Sequence, residues 1–301
     1  MLAQVFNSNR VISALRIFFR NNLNNLNMKD LRKLSVLFLV AAGLFMFNSC
    51  NKDEAVTENV IAKTTATDYI NMINSFSLST VEEITSSDDG LKSATIVDCL
   101  TVTIHENEDG EFWPRNWTLD YGTENCECFL GNNKRGKIHV SLTDWWKNEG
   151  SFREITFEDF YMNDNKMEGV KTTLNTGLNE NGNLSFTKNV ADAKLTYADG
   201  GEITWACEKY SEQVGGAETI LFADDVWSVT GAGAGVNLDG KNYTMAITTA
   251  LIYNNGCFYP VSGIVEIATE GEDLKVINYG DGECDNVVTV TVGDVTETVE
   301  L

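Results

Sequence analysis

From residue 94 to residue 301 apolar residues recur at every second position. Leu100, Val102 and Ile104 alternate with Thr101 and Thr103; Ile138, Val140 and Leu142 alternate with His139, Ser141 and Thr143; Val288, Val290 and Val292 alternate with Thr289 and Thr291. Successive side chains of an extended chain point to opposite faces, so this period gives each segment one apolar and one polar face. Asp109-Gly110, Asn181-Gly182, Asp199-Gly200, Asp239-Gly240, Asn255-Gly256 and Asp281-Gly282 punctuate the runs. Such dipeptides supply the positive φ of tight hairpin turns. Prolines are rare (Pro114 and Pro260 only). Short strands and turns at regular spacing predict an all-β body, mainly an antiparallel meander or sandwich of many hairpins. The strand–helix alternation of a parallel sheet is missing.

Before this body the pattern differs. Residues 66–92 read as one short helix and a linker: Tyr69, Ile70, Ile73 and Phe76 fall at helical spacing, Asp68 can cap the start, and Ser86-Ser87-Asp88-Asp89-Gly90 breaks the period. Residues 93–301 form the β body, with two related units expected at about 93–215 and 216–301. The unit boundary comes from an echo. Cys99, Tyr121-Gly122 and Cys126 repeat, with the same separations, as Cys257, Tyr279-Gly280 and Cys284. A weaker echo pairs Phe157-Glu158-Asp159 with Phe222-Ala223-Asp224.

Residues 28–49 carry the parts of an export signal. Lys29, Arg32 and Lys33 precede an apolar run, 34–47, and small Ser49 stands before Cys50. The run is shorter than the roughly 20 residues that a bilayer core demands, which argues against a spanning anchor. The Cys at the cut predicts a lipoprotein: its thiol takes a diacylglyceryl group, cleavage precedes it, and several acyl chains of the palmitate class hold the protein to a membrane. Residues 1–27 add nothing to the signal, and Met28 is a natural start. Residues 50–65 read as the lipidated Cys and an acidic tether.

Asn51-Lys52-Asp53-Glu54 follows the lipid-bearing Cys50. This placement resembles surface-exported lipoproteins of the Bacteroidota type, in which a charged tetrad after the Cys directs export. The resemblance makes Lys52, Asp53 and Glu54 the export signal and implies an outer-membrane protein facing outward. Phe47-Asn48-Ser49 departs from the commoner Leu-Ala-Gly lipobox, and the competing reading of the charges is a solvated linker. The β body also resembles lipoproteins of that type with uncharacterised function. Trp117-Thr118-Leu119-Asp120-Tyr121-Gly122, Gly136-Lys137-Ile138-His139-Val140, Phe157-Glu158-Asp159-Phe160-Tyr161 with Asn165-Lys166-Met167-Glu168-Gly169, Asp199-Gly200-Gly201-Glu202-Ile203-Thr204-Trp205 and Asn278-Tyr279-Gly280-Asp281-Gly282-Glu283-Cys284-Asp285 carry the likeness. It brings no activity with it.

The chain has a net charge of −22; residues 1–50 hold six of its 22 basic and one of its 44 acidic residues, so the remainder is near −27. Such a surface repels nucleic acid and anionic lipid, which leaves anchoring to the acyl chains.

Beyond Cys50 there are six cysteines: Cys99, Cys126, Cys128, Cys207, Cys257 and Cys284. The equal spacing favours Cys99–Cys126 and Cys257–Cys284 among the 15 pairings that six thiols allow. Buried free thiols are the alternative. Cys126-Glu127-Cys128 lacks the C-x-x-C spacing of redox and zinc sites.

No catalytic residue and no metal site is identified. His105 and His139 lie singly in alternating strands, and neither H-E-x-x-H nor G-x-S-x-G occurs. Gly231-Ala232-Gly233-Ala234-Gly235 has Val236 where a phosphate loop requires its third Gly, and reads instead as flexible or closely packed β structure. Acid-rich stretches such as Glu106-Asn107-Glu108-Asp109-Gly110 and Asn163-Asp164-Asn165 are candidates for Ca²⁺, without the full ligand loop.

Trp113, Trp117 and Trp145 are the candidate ligand-contact aromatics. Trp145 and Trp146 are adjacent, and on a strand one of them would face outward. The chain therefore reads as a non-enzymatic surface binding or adhesion module for a glycan or protein. A structural envelope component and a glycan-directed hydrolase are the alternatives.

Overall fold

The computed structural model describes residues 99–128, 132–219 and 222–301. The export signal, Cys50, the tetrad Lys52 to Glu54 and the helix expected within 66–92 lie outside the described residues. Fourteen strands form one sheet: β1 (Thr101–His105), β2 (Arg115–Asp120), β3 (Cys126–Glu127), β4 (Asn133–Leu142), β5 (Phe152–Met162), β6 (Asn165–Leu178), β7 (Leu184–Thr196), β8 (Glu202–Gly215), β9 (Val226–Val236), β10 (Asn242–Asn254), β11 (Ser262–Thr269), β12 (Lys275–Asp281), β13 (Val287–Val292) and β14 (Val295–Glu300). Each pairs antiparallel with its sequence neighbours, except that β2 pairs β4 directly and the short β3 pairs β4 alone. This is the all-β antiparallel meander expected from the alternation. The boundary expected at 215/216 falls between β8 and β9, which pair directly. Among the described residues no helix is long and apolar enough to cross a membrane.

One face of the sheet carries the core. Trp117, Val140 and Ile155 occupy one cross-strand row, and all are buried. Leu119 pairs with Ile138, and Val265 with Ile277; these four are fully buried. Each such side chain contributes about 1.5–3 kcal/mol on leaving water. On the edge strand β14, Glu297 pairs with buried Val290 and so points to the same face. An inward charge on an edge strand discourages another chain from adding to the ladder.

The central strands are long and bulged. Register shifts interrupt β4–β5, β5–β6, β6–β7, β7–β8 and β10–β11. Asp159 of β5 and Asp192 of β7 sit at such shifts with φ of 44° and 51°. Each inserts a residue that bends its strand and flips the inward phase beyond it. In β7, Phe186 faces the core on one side of Asp192, and Ala193 and Leu195 on the other. Gly136 has φ +85°, and a Cβ there would overlap the Asp159 carbonyl of β5. The inward glycines Gly231, Gly233 and Gly235 of β9 have the same role, because a Cβ on any of them would strike the backbone of β8. Close packing thus explains the stretch that resembles a phosphate loop.

The cysteine echo has a structural counterpart. Cys99–Cys126 and Cys257–Cys284 are disulfides, each closing a separation of 27. Cys99 precedes β1 and Cys126 follows β2; Cys257 precedes β11 and Cys284 follows β12. Each bridge therefore clips the open end of a hairpin. The Tyr-Gly pairs match as well. Gly122 and Gly280 donate their N–H to Asp120 Oδ1 and Asn278 Oδ1 at 2.8 and 2.9 Å, and Tyr121 and Tyr279 are buried. The second echo has no such counterpart: Phe157 to Asp159 lie within β5, whereas Phe222–Asp224 is a 3₁₀ turn. Cys128 and Cys207 are free thiols.

Two outcomes follow for stability. Gly136→Ala should cost at least about 2 kcal/mol, through overlap with a backbone carbonyl and an unfavourable φ. Gly240→Ala, with positive φ but open space around it, should cost about 1 kcal/mol; urea midpoints compare the two. Replacing the Cys257–Cys284 pair by serines should lower stability by about 3 kcal/mol through the unfolded-chain entropy of a loop of 27.

Candidate functional site

An up-and-down meander sorts its connections between two ends. One end holds 106–114, 143–151, 179–183, 216–225, 255–261 and 282–286. The other holds the short turns 163–164, 197–201, 237–241, 270–274 and 293–294, together with the segment that carries β3. Long connections positioned by a rigid sheet are where binding residues concentrate.

The aromatic candidates gather at the long-loop end. Arg115 of β2 pairs with Leu142 of β4. Trp113 lies just before Arg115 and Trp145 just after Leu142, so both flank the same ladder end and both are half-buried. Phe112 is 58% exposed and meets Trp113 edge-on at 5.1 Å, while the Arg115 guanidinium lies 4.3 Å above the Phe112 ring. Phe258, in the 255–261 connection, is 78% exposed. Trp117 departs from the expectation. It shares the inward parity of Leu119 and is only 3% exposed, so its ring is part of the core. Trp145 and Trp146 also differ, because they lie in the β4–β5 connection and strand parity does not govern them.

That connection is tightly built. Asp144 Oδ1 accepts from the Trp145 N–H at 2.7 Å, Asp144 Oδ2 from Asn148 Nδ2 at 3.0 Å, and the Asp144 carbonyl from Ser151 Oγ at 2.8 Å. Buried Asn175 of β6 donates through Nδ2 to the Trp146 carbonyl at 2.8 Å, and its backbone pairs with Gly150 and Ser151. Trp146 is thereby held against Phe186 of β7 at 6.0 Å, and Phe186 against Trp227 of β9 at 5.7 Å. Lys147 lies 5.1 Å from the Trp146 ring and Lys188 5.9 Å from the Trp227 ring.

The inner face of β5 to β8 divides along its length. Toward the short turns it is apolar, with buried Phe160, Met167, Leu195, Ile203 and Trp205. Toward the long loops it becomes polar. Arg153, Thr173, Lys188 and Lys209 form one cross-strand row, and Ile155, Lys171, Val190 and Cys207 form the next. Burial pushes the Cys207 thiol up, with Lys209 and Lys171 opposing, and burial pushes the Lys209 ammonium down. A thiol raised in this way is a poor nucleophile. Sequence reading missed these bases because they lie far apart along the chain; the hairpin turn at Asp199-Gly200 was the signal that could have paired Lys188 with Lys209.

The two histidines meet on the outer face. Thr118 Oγ1 lies 2.8 Å from His105 Nε2 and 3.2 Å from His139 Nδ1, and His139 Nε2 lies 3.0 Å from Glu158 Oε2. An ionised carboxylate only accepts, so His139 donates from Nε2, Thr118 donates to Nδ1, and His105 donates to Thr118. Hydroxyl, imidazole and carboxylate stand in the order of a nucleophilic triad. Thr118, however, sits mid-strand, where the backbone N–H groups serve the ladders instead of turning toward a developing oxyanion. The arrangement ties the edge strand β1 to β5 across two strands. Asp164, a Ca²⁺ candidate, is instead engaged by Arg135 at 2.5 Å and by Asn125 at 3.2 Å. A depression of about 400 Å³ between Gly235, Tyr243 and Ala268 is lined by no carboxylate, imidazole or thiol among the described residues. Among the described residues no three His, Cys, Asp or Glu gather in a metal-ligating group.

Comparison with family models, curated proteins and solved structures found no match.

Hydrogen bonding from His139, and then the charge of Lys137, hold the Glu158 carboxyl below its ordinary range. A depressed carboxyl stabilises the fold above its unfolded value, and that contribution disappears as pH falls through the folded value. The Glu158 side-chain ¹³C resonance should therefore titrate below the usual glutamate value of about 4.3. His139→Phe should bring it back up; an unchanged titration would show that the bond does not persist in solution.

Proposed function

We propose that the mature protein is an outer-membrane lipoprotein, held by acyl chains on Cys50 and facing outward, that binds a saccharide through its long-loop end. The short apolar run before Cys50 and the charged Lys52, Asp53 and Glu54 after it support the anchor and the direction of export. The observation that carries the binding role is the placement of Phe112, Trp113 and Trp145 beside the same ladder end of β2 and β4, with a preformed aromatic run from Trp145 to Trp227 next to them. Aromatic faces stack on the C–H faces of sugars, and rings already fixed by packing lose little freedom on binding.

Mass spectrometry of the native protein should find the mature chain beginning at Cys50 with fatty acyl groups attached; an unmodified Cys50 would remove the anchor. On a glycan array, Trp113→Ala and Trp145→Ala should each weaken saccharide binding by about fivefold, the loss of about 1 kcal/mol of ring stacking. An array with no binder would remove the saccharide role and leave the anchor untouched.

A further inference from the structure

The chain has only two histidines, and the sheet brings them together. His105 stands on the edge strand β1 and His139 on β4, with β2 between them. Thr118 lies between buried Trp117 and Leu119, and His139 between buried Ile138 and Val140, so both point to the outer face, where they are directly paired. His105 pairs with Asn116, two residues from Thr118, and reaches Thr118 along a diagonal. Thr118 Oγ1 is therefore the common partner of His105 Nε2, at 2.8 Å, and His139 Nδ1, at 3.2 Å. Two ring nitrogens from strands that are not neighbours converge on one point.

Imidazole nitrogens hold Zn²⁺, Cu²⁺ and Ni²⁺ at about 2.0–2.1 Å. An ion taking the place of the shared hydroxyl bonds needs each ring to advance by roughly 1 Å. His105 is exposed and His139 half-buried, so side-chain rotation supplies that movement and water reaches the ion from the open side. The far side of His139 is already prepared. Its Nε2 donates to Glu158 Oε2 at 3.0 Å, which orients the ring and leaves the Nδ1 lone pair facing His105 and Thr118. A carboxylate behind a ligating imidazole is the recurrent outer partner in metal sites, and it raises the basicity of the ligand. Lys137, on the same face, is engaged by Asp120 at 3.9 Å and by Glu158 Oε1 at 3.5 Å, which offsets its charge. The strongly acidic mature chain draws cations to its surface.

We propose that His105 Nε2 and His139 Nδ1 form a two-histidine site for a divalent transition-metal ion, with Glu158 as the positioning residue. Thr118 Oγ1 and water complete the shell. On binding, the Nε2 proton of His105 passes to its other nitrogen, Nδ1, and the Thr118 hydroxyl proton turns away from His139, so the protein loses no proton. With two protein nitrogens the ion is exchangeable, unlike one in a closed four-ligand site. It ties the edge strand β1 to β4, and it stands independently of the saccharide role.

The intact mature protein, carrying no polyhistidine tag, is titrated with ZnCl₂ in a non-chelating buffer. One equivalent should bind saturably, shift the ring resonances of both imidazoles together and raise the midpoint of thermal unfolding. His105→Gln and His139→Gln should each weaken binding at least tenfold and remove the thermal shift. Glu158→Gln should weaken binding about tenfold while both imidazoles still shift at saturation. Glu300→Gln, which neutralises an acid on the far edge strand β14, should leave binding unchanged. No saturable equivalent, a shift confined to one imidazole, or full affinity in His105→Gln would each overturn the site. Equal losses in Glu158→Gln and Glu300→Gln would reduce the carboxylate's effect to overall charge and overturn the role given to Glu158. Should His139→Gln lose cooperative unfolding, His105→Gln, on the exposed edge strand, decides alone.

Discussion

Every strand from β4 to β13 is hydrogen-bonded to the strands on either side of it in sequence, so the facing of each is fixed by its neighbours. One row can be followed without a break from Leu142 through Arg153, Thr173, Lys188, Lys209, Gly231, Ile247, Val265, Ile277 and Val290 to Glu297. Because the side-chain period is two, a slip of one residue in any pair would send that strand's whole inward set to solvent. The apolar ends of the row set the register, and the register then carries the bases in its middle to the inner face. The cationic patch is inward because the ladders that bury Val265 and Ile277 admit no other placement.

The bulges make this possible over such length. A flat antiparallel sheet of long strands buries its apolar face poorly, and bends at Gly136, Asp159 and Asp192 let it curve. They also separate two kinds of interior. On β5 to β8 the half nearer the short turns is filled by Phe160, Met167, Leu195, Ile203 and Trp205, whereas the half nearer the long loops carries Arg153, Lys171, Thr173, Lys188, Lys209 and Ser211. Apolar packing and the inward bases thus occupy different stretches of the same strands.

This division accounts for what the sequence discloses. Alternation is unbroken in β1, β2, the later part of β4 and β13, and those strands are legible directly. In β7 it fails at Asp192, where the inward residues change from Phe186, Lys188 and Val190 to Ala193 and Leu195. A period-two reading carried through that bulge puts half of the strand on the wrong face. Lys188 and Lys209 are mirror positions about the Asp199-Gly200 turn only after the inserted residue is counted. The disulfides were legible because each links two positions flanking a single hairpin, so equal separations reflect equal geometry. Trp117 misled for a related reason: an aromatic cluster in sequence does not reveal which ring falls on the inward parity. The meeting of His105 and His139 on Thr118 depends on how β1 lies against β2, which the long 106–114 connection hides.

The site's rigidity follows from one buried amide. Asn175 is 2% exposed, donates to the Trp146 carbonyl, and exchanges backbone hydrogen bonds with the segment around Gly150 and Ser151. Its Oδ1 also accepts from the Gly177 N–H at 2.8 Å, so the amide has a partner on both sides. An apolar residue there would fill the same space but leave the β4–β5 connection without its tie to β6. With the tie, Trp146 is fixed against Phe186 and Phe186 against Trp227. Ordering a loop on binding commonly offsets much of the interaction energy, and a loop hung from a core strand avoids that loss. A connection serving only to join β4 to β5 could be short and polar. This one carries two tryptophans, and a buried asparagine holds it in place.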